Sequence, residues 1–233
     1  MCPPLSRPHG PITGPRYRSL RRTDRPGDAR NYVQTVRYVW TGVEAVNEQA
    51  PLAVGTALRA VVQCVARTAA LLARRRIHTP TEHVGLRLSF AAGTSSWVCR
   101  ETVVDRPATT DPCVLVVEFR LRAVRGWGHT AFRRLSLLNT PLFVGFPGFV
   151  SKLWLAHDDN GVYRGLYEWD MPELAEAYAR ALWRVLALVS ARGTIHYKVL
   201  PGLRRDALIR EPTLAGLTGP VAGSDWWRLV NVG

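Results

Sequence analysis

The sequence predicts an α+β domain over residues 113–203, and three patterns support this prediction. Four segments alternate apolar and polar residues with the period of two that a strand requires. Two further segments repeat apolar residues with helical spacing. The turn sequence Asp-Asp-Asn-Gly at 158–161 joins the second strand to the third. The resulting order of strand, helix, strand, strand, helix, strand is the βαββαβ plan of a ferredoxin-like domain.

Each predicted element of this domain has its own boundary signals. The four strands are the segments 113–124, 149–155, 162–169 and 194–200. The first helix covers 129–138, and an Asn-Thr-Pro sequence stops it. The second helix follows Asp170, a candidate N-cap, and ends before Gly193. Helices would cover one face of this antiparallel sheet and leave the other face for water, a partner or a ligand.

Extensions flank the domain on both sides. Residues 1–30 are rich in Pro, Gly, Arg and Ser, and they predict a disordered basic tail because they cannot bury enough apolar surface to offset the lost chain entropy. In the N-terminal extension 31–112, helical spacing predicts an amphipathic helix over about 51–76. Alternating residues predict a β-hairpin over about 84–104. A C-terminal tail covers 204–233.

The helix predicted over 51–76 combines an apolar stripe with arginines. The stripe contains Leu58, Val61, Val62, Val65, Ala69 and Leu72. We expect this helix to dock on the neighbouring domain, although a basic amphipathic helix can also make peripheral contact with a membrane surface. No run of about 18 uncharged apolar residues is present, so the sequence predicts no membrane-spanning helix.

The formal net charge of +13 raises the question of a nucleic-acid partner. Residues 1–38 hold eight arginines against two aspartates, and the remaining excess is spread along the chain. No basic stripe interleaved with aromatic residues and no nucleic-acid motif is present. Arginine outnumbers lysine by 29 to 2, which is typical of the coding bias of a GC-rich genome. We therefore expect no specific nucleic-acid binding.

Cysteine and histidine usage argues against a metal centre. The four cysteines, Cys2, Cys64, Cys99 and Cys113, have no metal-ligand spacing, and the six histidines do not pair at such spacing either. No nucleotide-binding glycine loop or nucleophile elbow is present. The N-terminus has no apolar segment of the kind that a secretory signal needs. The sequence thus predicts a cytoplasmic protein with reduced thiols and without a metal or another cofactor.

Alternation along the four strands places charged residues on one common face. The residues of this predicted face are Glu118, Arg120, Lys152, Trp154, Arg164, Glu168, His196 and Lys198. The prediction depends on register, because a slip of one residue moves a side chain to the other face. Such a face can be a solvated surface, a polar dimer interface, or a pocket that holds an acidic or phenolic ligand. These interpretations remain open from the sequence.

Residues 113–201 resemble the dimeric α/β-barrel superfamily, and in particular its antibiotic-biosynthesis mono-oxygenases and related small mono-oxygenases. The resemblance rests on a Gly-hydrophobic-x-Lys-x-Trp strand followed by a Gly-x-Tyr-x-aromatic strand. In this sequence the residues are Gly148, Lys152, Trp154, Gly165, Tyr167 and Trp169. The resemblance implies a homodimer in which two sheets close into one barrel. For some members it also implies oxidation of aromatic or polyketide-type molecules by O₂ without flavin, haem or metal.

Oxidation without a cofactor requires a base for the substrate and a group that stabilises the resulting anion. His196 is the candidate base, since the pKa of an unperturbed histidine lies near ~6.5. Glu118 is a second acid or base, and Lys152 would stabilise an oxyanion. The candidate substrate-binding residues are Arg120, Trp154, Arg164, Glu168, Lys198 and, at the start of the first helix, His129. Alternative hypotheses are a non-redox binding protein, a cyclase or isomerase, and a structural dimerisation module.

Overall fold

We analysed a computed structural model of the chain. It describes residues 53–107, 109, 111–122, 140, 143–217 and 225–233, all within the compact unit Glu44–Gly233. The predicted basic tail 1–30 and the helix predicted over 129–138, including His129, lie outside the described residues. The predicted α+β class is confirmed by the elements that follow.

The described elements are, in chain order, α1 Val54–Ala73, β1 Ile77–His78, β2 Arg87–Phe90, β3 Ser95–Val104, β4 Cys113–Arg120, β5 Phe149–Leu155, β6 Val162–Trp169, α2 Pro172–Val189, β7 His196–Pro201, α3 Arg205–Arg210, a 3₁₀ helix Pro212–Leu217 and β8 Leu229–Val232. Strands form in all four segments where alternation predicts them. The hairpin segment 84–104 forms β2 and β3, which pair antiparallel. At the predicted turn, Gly161 has φ 74° and the Asp158 carboxylate accepts the backbone N–H groups of Asn160 and Val162.

The strands form one antiparallel sheet with the order β7-β4-β6-β5-β3-β2-β8, and β1 pairs with β3. The sheet is strongly curled, since side chains from its two ends belong to one apolar cluster. That cluster contains Leu200 of β7, Val114 and Val116 of β4, Leu153 of β5, Leu88 of β2 and Leu229 of β8. We call the side of the sheet that carries this cluster the inner face and the opposite side the helix face.

The inner face is covered by the C-terminal part of the chain. Leu208 and Ile209 of α3, Ala215 of the 3₁₀ helix and Trp226 are buried against the inner-face cluster. The expectation of a sheet face left open to water, a partner or a ligand is therefore wrong for this chain. It is also this face through which the implied barrel dimer would close, and residues of the same chain already occupy it. The homodimer stays a prediction.

The helix face carries the second core, which is rich in aromatic residues. Trp169, Tyr178 and Phe149 are among the most deeply buried large side chains of the protein, and their rings contact one another edge-on or tilted. Helix α2 packs on this core through Tyr178 and small alanines. Asp170 does not cap α2 as predicted, because its carboxylate instead accepts a hydrogen bond from Arg106 at 2.7 Å.

Helix α1 docks mainly through small residues, and Leu71 is the larger apolar residue that packs against the helix-face core. Its buried residues are Ala57, Cys64 and Thr68, and other large side chains, such as Leu58 and Val62, are exposed. The expectation that the apolar stripe faces the domain is therefore wrong. The reason is close approach: a Cβ on Gly145 would lie only 2.0 Å from the carbonyl oxygen of Cys64, so only small residues fit at this contact.

Replacing Gly145 with alanine is expected to loosen α1, since the added methyl group would meet helix backbone that cannot yield as a side chain does. We expect a loss of about 1–3 kcal/mol in stability, the usual cost of overpacking. Cys64, now 1 % exposed, should react faster with a thiol reagent in G145A than in the wild type. An alanine at Gly55, where a Cβ has open space, is the matched control. Equal thiol reactivity in G145A and the wild type would contradict this contact.

Candidate functional site

Arg164 on the inner face is held by two carboxylates. Its guanidinium lies 3.0 Å from a carboxylate oxygen of Glu118 and 2.8 Å from one of Asp158. The side chain of Arg164 is only 3 % exposed, and its guanidinium also lies over the ring of Phe90. The other carboxylate oxygen of Glu118 is hydrogen-bonded to Nδ1 of His196 at 3.1 Å. These charges satisfy one another, so this group stabilises the fold and presents no open pocket.

Glu168 belongs to a second buried polar group on the inner face. Its carboxylate accepts the backbone N–H of Arg205 at the start of α3, and burial raises its pKa above the ordinary value. The Arg205 guanidinium lies 2.6 Å from Glu101, which also contacts His83 at 2.8 Å. Sequence reasoning did not find Arg205, Glu101 or His83 as partners, because they come from the hairpin and the C-terminal tail. This group fixes α3 to the sheet.

Three further predicted residues lie at the rim of the inner face. Arg120 is exposed at the end of β4, and the side chain of His196 is 49 % exposed. The Lys198 amine lies 5.5 Å from the ring of Trp227, and the His196 ring lies 5.9 Å from that of Trp226. The C-terminal tail thus takes the place that a ligand was expected to occupy beside His196 and Lys198.

Lys152 and Trp154 do not share the inner face with the other predicted residues, and this part of the prediction is wrong. A bulge in the β5–β6 pairing lies between Phe149 and Ser151. The bulge precedes the regular alternation of residues 151–155, in which Lys152 pairs with Tyr167 and lies on the helix face. Leu153 and Leu155 take the inner face in its place. A pocket that combines Lys152 with Arg164 and His196 therefore does not exist in this fold.

The amine of Lys152 is instead enclosed by aromatic rings. Its Nζ lies 3.3 Å from the centroid of the Trp154 ring, 4.5 Å from that of Phe143 and 4.6 Å from that of Tyr167. No carboxylate in the described part of the chain forms an ion pair with this amine. We call Lys152 with these three rings the lysine enclosure.

Burial and a neighbouring positive charge both shift the protonation equilibrium of Lys152 toward the neutral amine. The pKa of Lys152 is lowered well below its ordinary value of 10.5, first by burial and then by the positive charge of Arg100. The Arg100 guanidinium lies over the Trp154 ring of the lysine enclosure, 3.9 Å from the ring centroid. A buried neutral lysine can act as a base or a nucleophile, which an exposed ammonium cannot.

The hydroxyl groups of Tyr167 and Tyr178 complete this region. They lie 3.4 Å apart, and burial raises the pKa of both phenols above the ordinary value. Both tyrosines therefore remain protonated, and the Tyr178 hydroxyl donates to that of Tyr167. Gly165 makes room for this arrangement, since a Cβ there would lie 2.6 Å from the ring of Tyr167. The residues that carry the mono-oxygenase resemblance thus converge on the helix face.

A groove of about 310 Å³ lies close to the lysine enclosure. Its arginines are Arg67, Arg74, Arg76 and Arg106, and the rest of its lining is mostly apolar. Phe149 lines the groove, and the Phe143 ring contacts the Phe149 ring at 5.2 Å between centroids. Phe143 also contacts the amine of Lys152, so one aromatic side chain lies between the groove and the amine.

The cysteines and acidic residues offer no metal site within the described residues, where no group of three potential ligands is found. Cys64, Cys99 and Cys113 are not in disulfides within the part of the chain that the structure describes. Burial raises the pKa of Cys113 to about 12, which keeps that thiol protonated and unreactive.

Comparison with known proteins identifies no family for this chain. No family model and no curated protein matches it. A solved structure that does match is an uncharacterized ferredoxin fold protein from Listeria monocytogenes, described as related to antibiotic biosynthesis monooxygenases. The two chains are 14 % identical with a TM-score of 0.31, and the match covers 53 % of this chain and 90 % of the other.

Proposed function

We propose that this protein is an oxygenase-like enzyme of secondary metabolism that oxidises an aromatic or polyketide-type molecule on the helix face, with Lys152 as its base. The observation that supports this proposal is the lysine enclosure, where a buried amine lies among three aromatic rings and no described carboxylate forms an ion pair with it. This assignment replaces His196 and Glu118, whose side chains hydrogen-bond to each other on the inner face. Residues 113–203 would complete the βαββαβ plan with the helix predicted over 129–138.

The chemistry requires an acidic C–H or O–H group in the substrate. The neutral amine of Lys152 would accept this proton, and the resulting ammonium would be stabilised by the electron-rich faces of Trp154, Phe143 and Tyr167. The substrate anion would then transfer an electron to O₂. For a ring methylene, the balanced reaction is CH₂ + O₂ → C=O + H₂O, in which one oxygen atom enters the substrate and the other leaves as water.

The groove offers a place for the substrate outside the lysine enclosure. Its apolar lining suits an aromatic ring system, and its arginines suit a carboxylate or phenolate. A substrate ring that takes the position of the Phe143 side chain would reach the amine of Lys152, because Phe143 contacts both the groove lining and the amine.

We expect the wild-type protein to consume O₂ in the presence of a tricyclic ketone with an acidic ring methylene, such as anthrone. Replacing Lys152 with methionine should lower the rate at least about a hundredfold, the usual contribution of a positioned base. Lys198→Met is the matched control, since Lys198 lies over Trp227 on the inner face. An oxygen electrode measures both rates. Equal rates in K152M and the wild type would remove Lys152 from the mechanism.

A second candidate function is non-redox binding of an amphipathic organic anion, which Arg67, Arg74 and Arg76 in the groove favour, while Arg106 is paired with Asp170. Calorimetric titration with a naphthoate or a similar aromatic carboxylate would detect such binding. Binding without O₂ consumption by any aromatic probe would favour this function over oxygenation.

A further inference from the structure

Helix α1 exposes a continuous row of large apolar side chains. Val54 is 66 % exposed, Leu58 63 %, Val62 60 %, Val65 42 % and Leu72 54 %. Their spacing of three, four and seven residues places them on one side of the helix. We call these five residues the outer face of α1. A 20-residue helix is about 30 Å long, so this row is larger than the scattered apolar residues of an ordinary surface.

The other side of α1 is fixed to the domain. Cys64 and Thr68 lie against the backbone at Gly145, a contact too close for any larger side chain. By length and composition alone α1 could cross a membrane, with a mean hydropathy of 1.3, yet only 17 % of that window is buried. Crossing would require the helix to leave its contact at Gly145 and would carry Arg59 and Arg67 into the lipid. The docked position instead leaves the outer face exposed, with no described residue covering it.

The charge of α1 indicates what this face contacts. Residues 53–76 contain five arginines and no acidic residue, and the arginines are Arg59, Arg67, Arg74, Arg75 and Arg76. Arg59 lies beside the apolar row, Arg67 lies on the opposite side of the helix where it lines the groove, and the other three are at or just after the C-terminal end of the helix. Apolar side chains flanked by arginines are typical of helices that lie in the interface of an anionic bilayer, where the apolar row enters the acyl region and the guanidinium groups contact phosphate.

We propose that the outer face of α1 docks the protein on the surface of a membrane that contains anionic phospholipids. A second copy of the chain is a poorer occupant, because residues 53–76 contain no acidic residue that could pair with the arginines of a second α1. The groove lies at the C-terminal part of the same helix, since Arg67, Leu71 and Arg74 line it. A docked protein would therefore hold the groove near the lipid surface.

Vesicle flotation tests this proposal with the full-length chain. The probes are vesicles of phosphatidylcholine alone and vesicles in which phosphatidylserine replaces about a quarter of the lipid. We expect the wild type to float with the anionic vesicles, and we expect Leu58→Gln with Val62→Gln to lower the bound fraction at least tenfold. Leu188→Gln with Val230→Gln removes two exposed apolar residues elsewhere, at 78 % and 48 % exposure, and should bind as the wild type does.

The charge dependence is tested by Arg59→Gln with Arg75→Gln and by added salt, both of which should weaken binding to the anionic vesicles. Absence of binding to them, or equal binding to both vesicle types, would overturn the proposal. Analytical ultracentrifugation supplies the other decisive result. A dimer that L58Q/V62Q dissociates would assign the outer face to a second copy and overturn membrane docking. All substituted positions are exposed, and thermal unfolding confirms that each variant is folded.

Discussion

Arg164→Met is expected to destabilise the protein by about 3–5 kcal/mol, the usual effect of removing one partner from a buried ion pair. The substitution would leave Glu118 and Asp158 buried without their cation, and the side chain of Asp158 is only 1 % exposed. Two carboxylates cannot remain ionised in this environment at low energetic cost. Urea unfolding measures the loss directly as a lower midpoint at an unchanged slope.

Two further variants separate the charge effect from the loss of packing. Combining Arg164→Met with Glu118→Gln and Asp158→Asn removes the stranded charges, so most of the lost stability should return. Arg120→Met alters an exposed arginine on the neighbouring strand and should change stability by less than about 0.5 kcal/mol. A loss below about 1 kcal/mol in R164M alone would show that the ion pairs are not desolvated as the structure places them.

The strands were predictable because their pattern is local. Alternation predicts that Glu118 and Arg164 share one face, and in the structure the two residues pair across β4 and β6 on the inner face. The turn at 158–161 was predictable for the same reason, since its residue types allow few backbone conformations. The second role of Asp158, as a partner of Arg164, follows only once the strands are paired.

The position of Lys152 was not predictable from alternation. Alternation separates Lys152 and Trp154 from Leu153 and Leu155, but it does not determine which of the two pairs faces the helices. The sequence also did not predict that the C-terminal part of the chain covers the inner face. The residues that form it, such as Arg205 and Trp226, lie in a tail without strong periodicity, and their partners are far away in the sequence.

Helix α1 shows a third limit of sequence patterns. Its apolar stripe was correctly located in the sequence, but the side that packs was determined by the close contact of Cys64 with Gly145. Hydropathy ranks leucine and valine above small residues as core candidates. Steric fit instead buries Ala57, Cys64 and Thr68, and larger side chains such as Leu58 and Val62 remain exposed.

Lys152→Met is expected to raise stability at neutral pH and to remove a pH dependence that the wild type shows. The folded state lowers the pKa of Lys152 below 10.5, whereas the unfolded chain keeps the ordinary value. Between these two pKa values the unfolded state binds one proton more than the folded state. Wild-type stability must therefore rise with pH in this window, by at most about 1.4 kcal/mol per pH unit, and level off above 10.5.

The chain offers an unusually clean measurement, because Lys152 and Lys198 are its only lysines. Selective ¹³C labelling of lysine gives two side-chain signals, which K152M and K198M assign, and the Lys152 signal should titrate well below 10.5. Methionine matches the lysine stem in length, so K152M keeps the packing against Trp154 and Tyr167 and loses only the amine. Parallel stability curves for K152M and the wild type across pH would contradict a neutral buried amine. A variant that gains stability and also loses O₂ consumption would show that this amine is retained for chemistry at the expense of the fold.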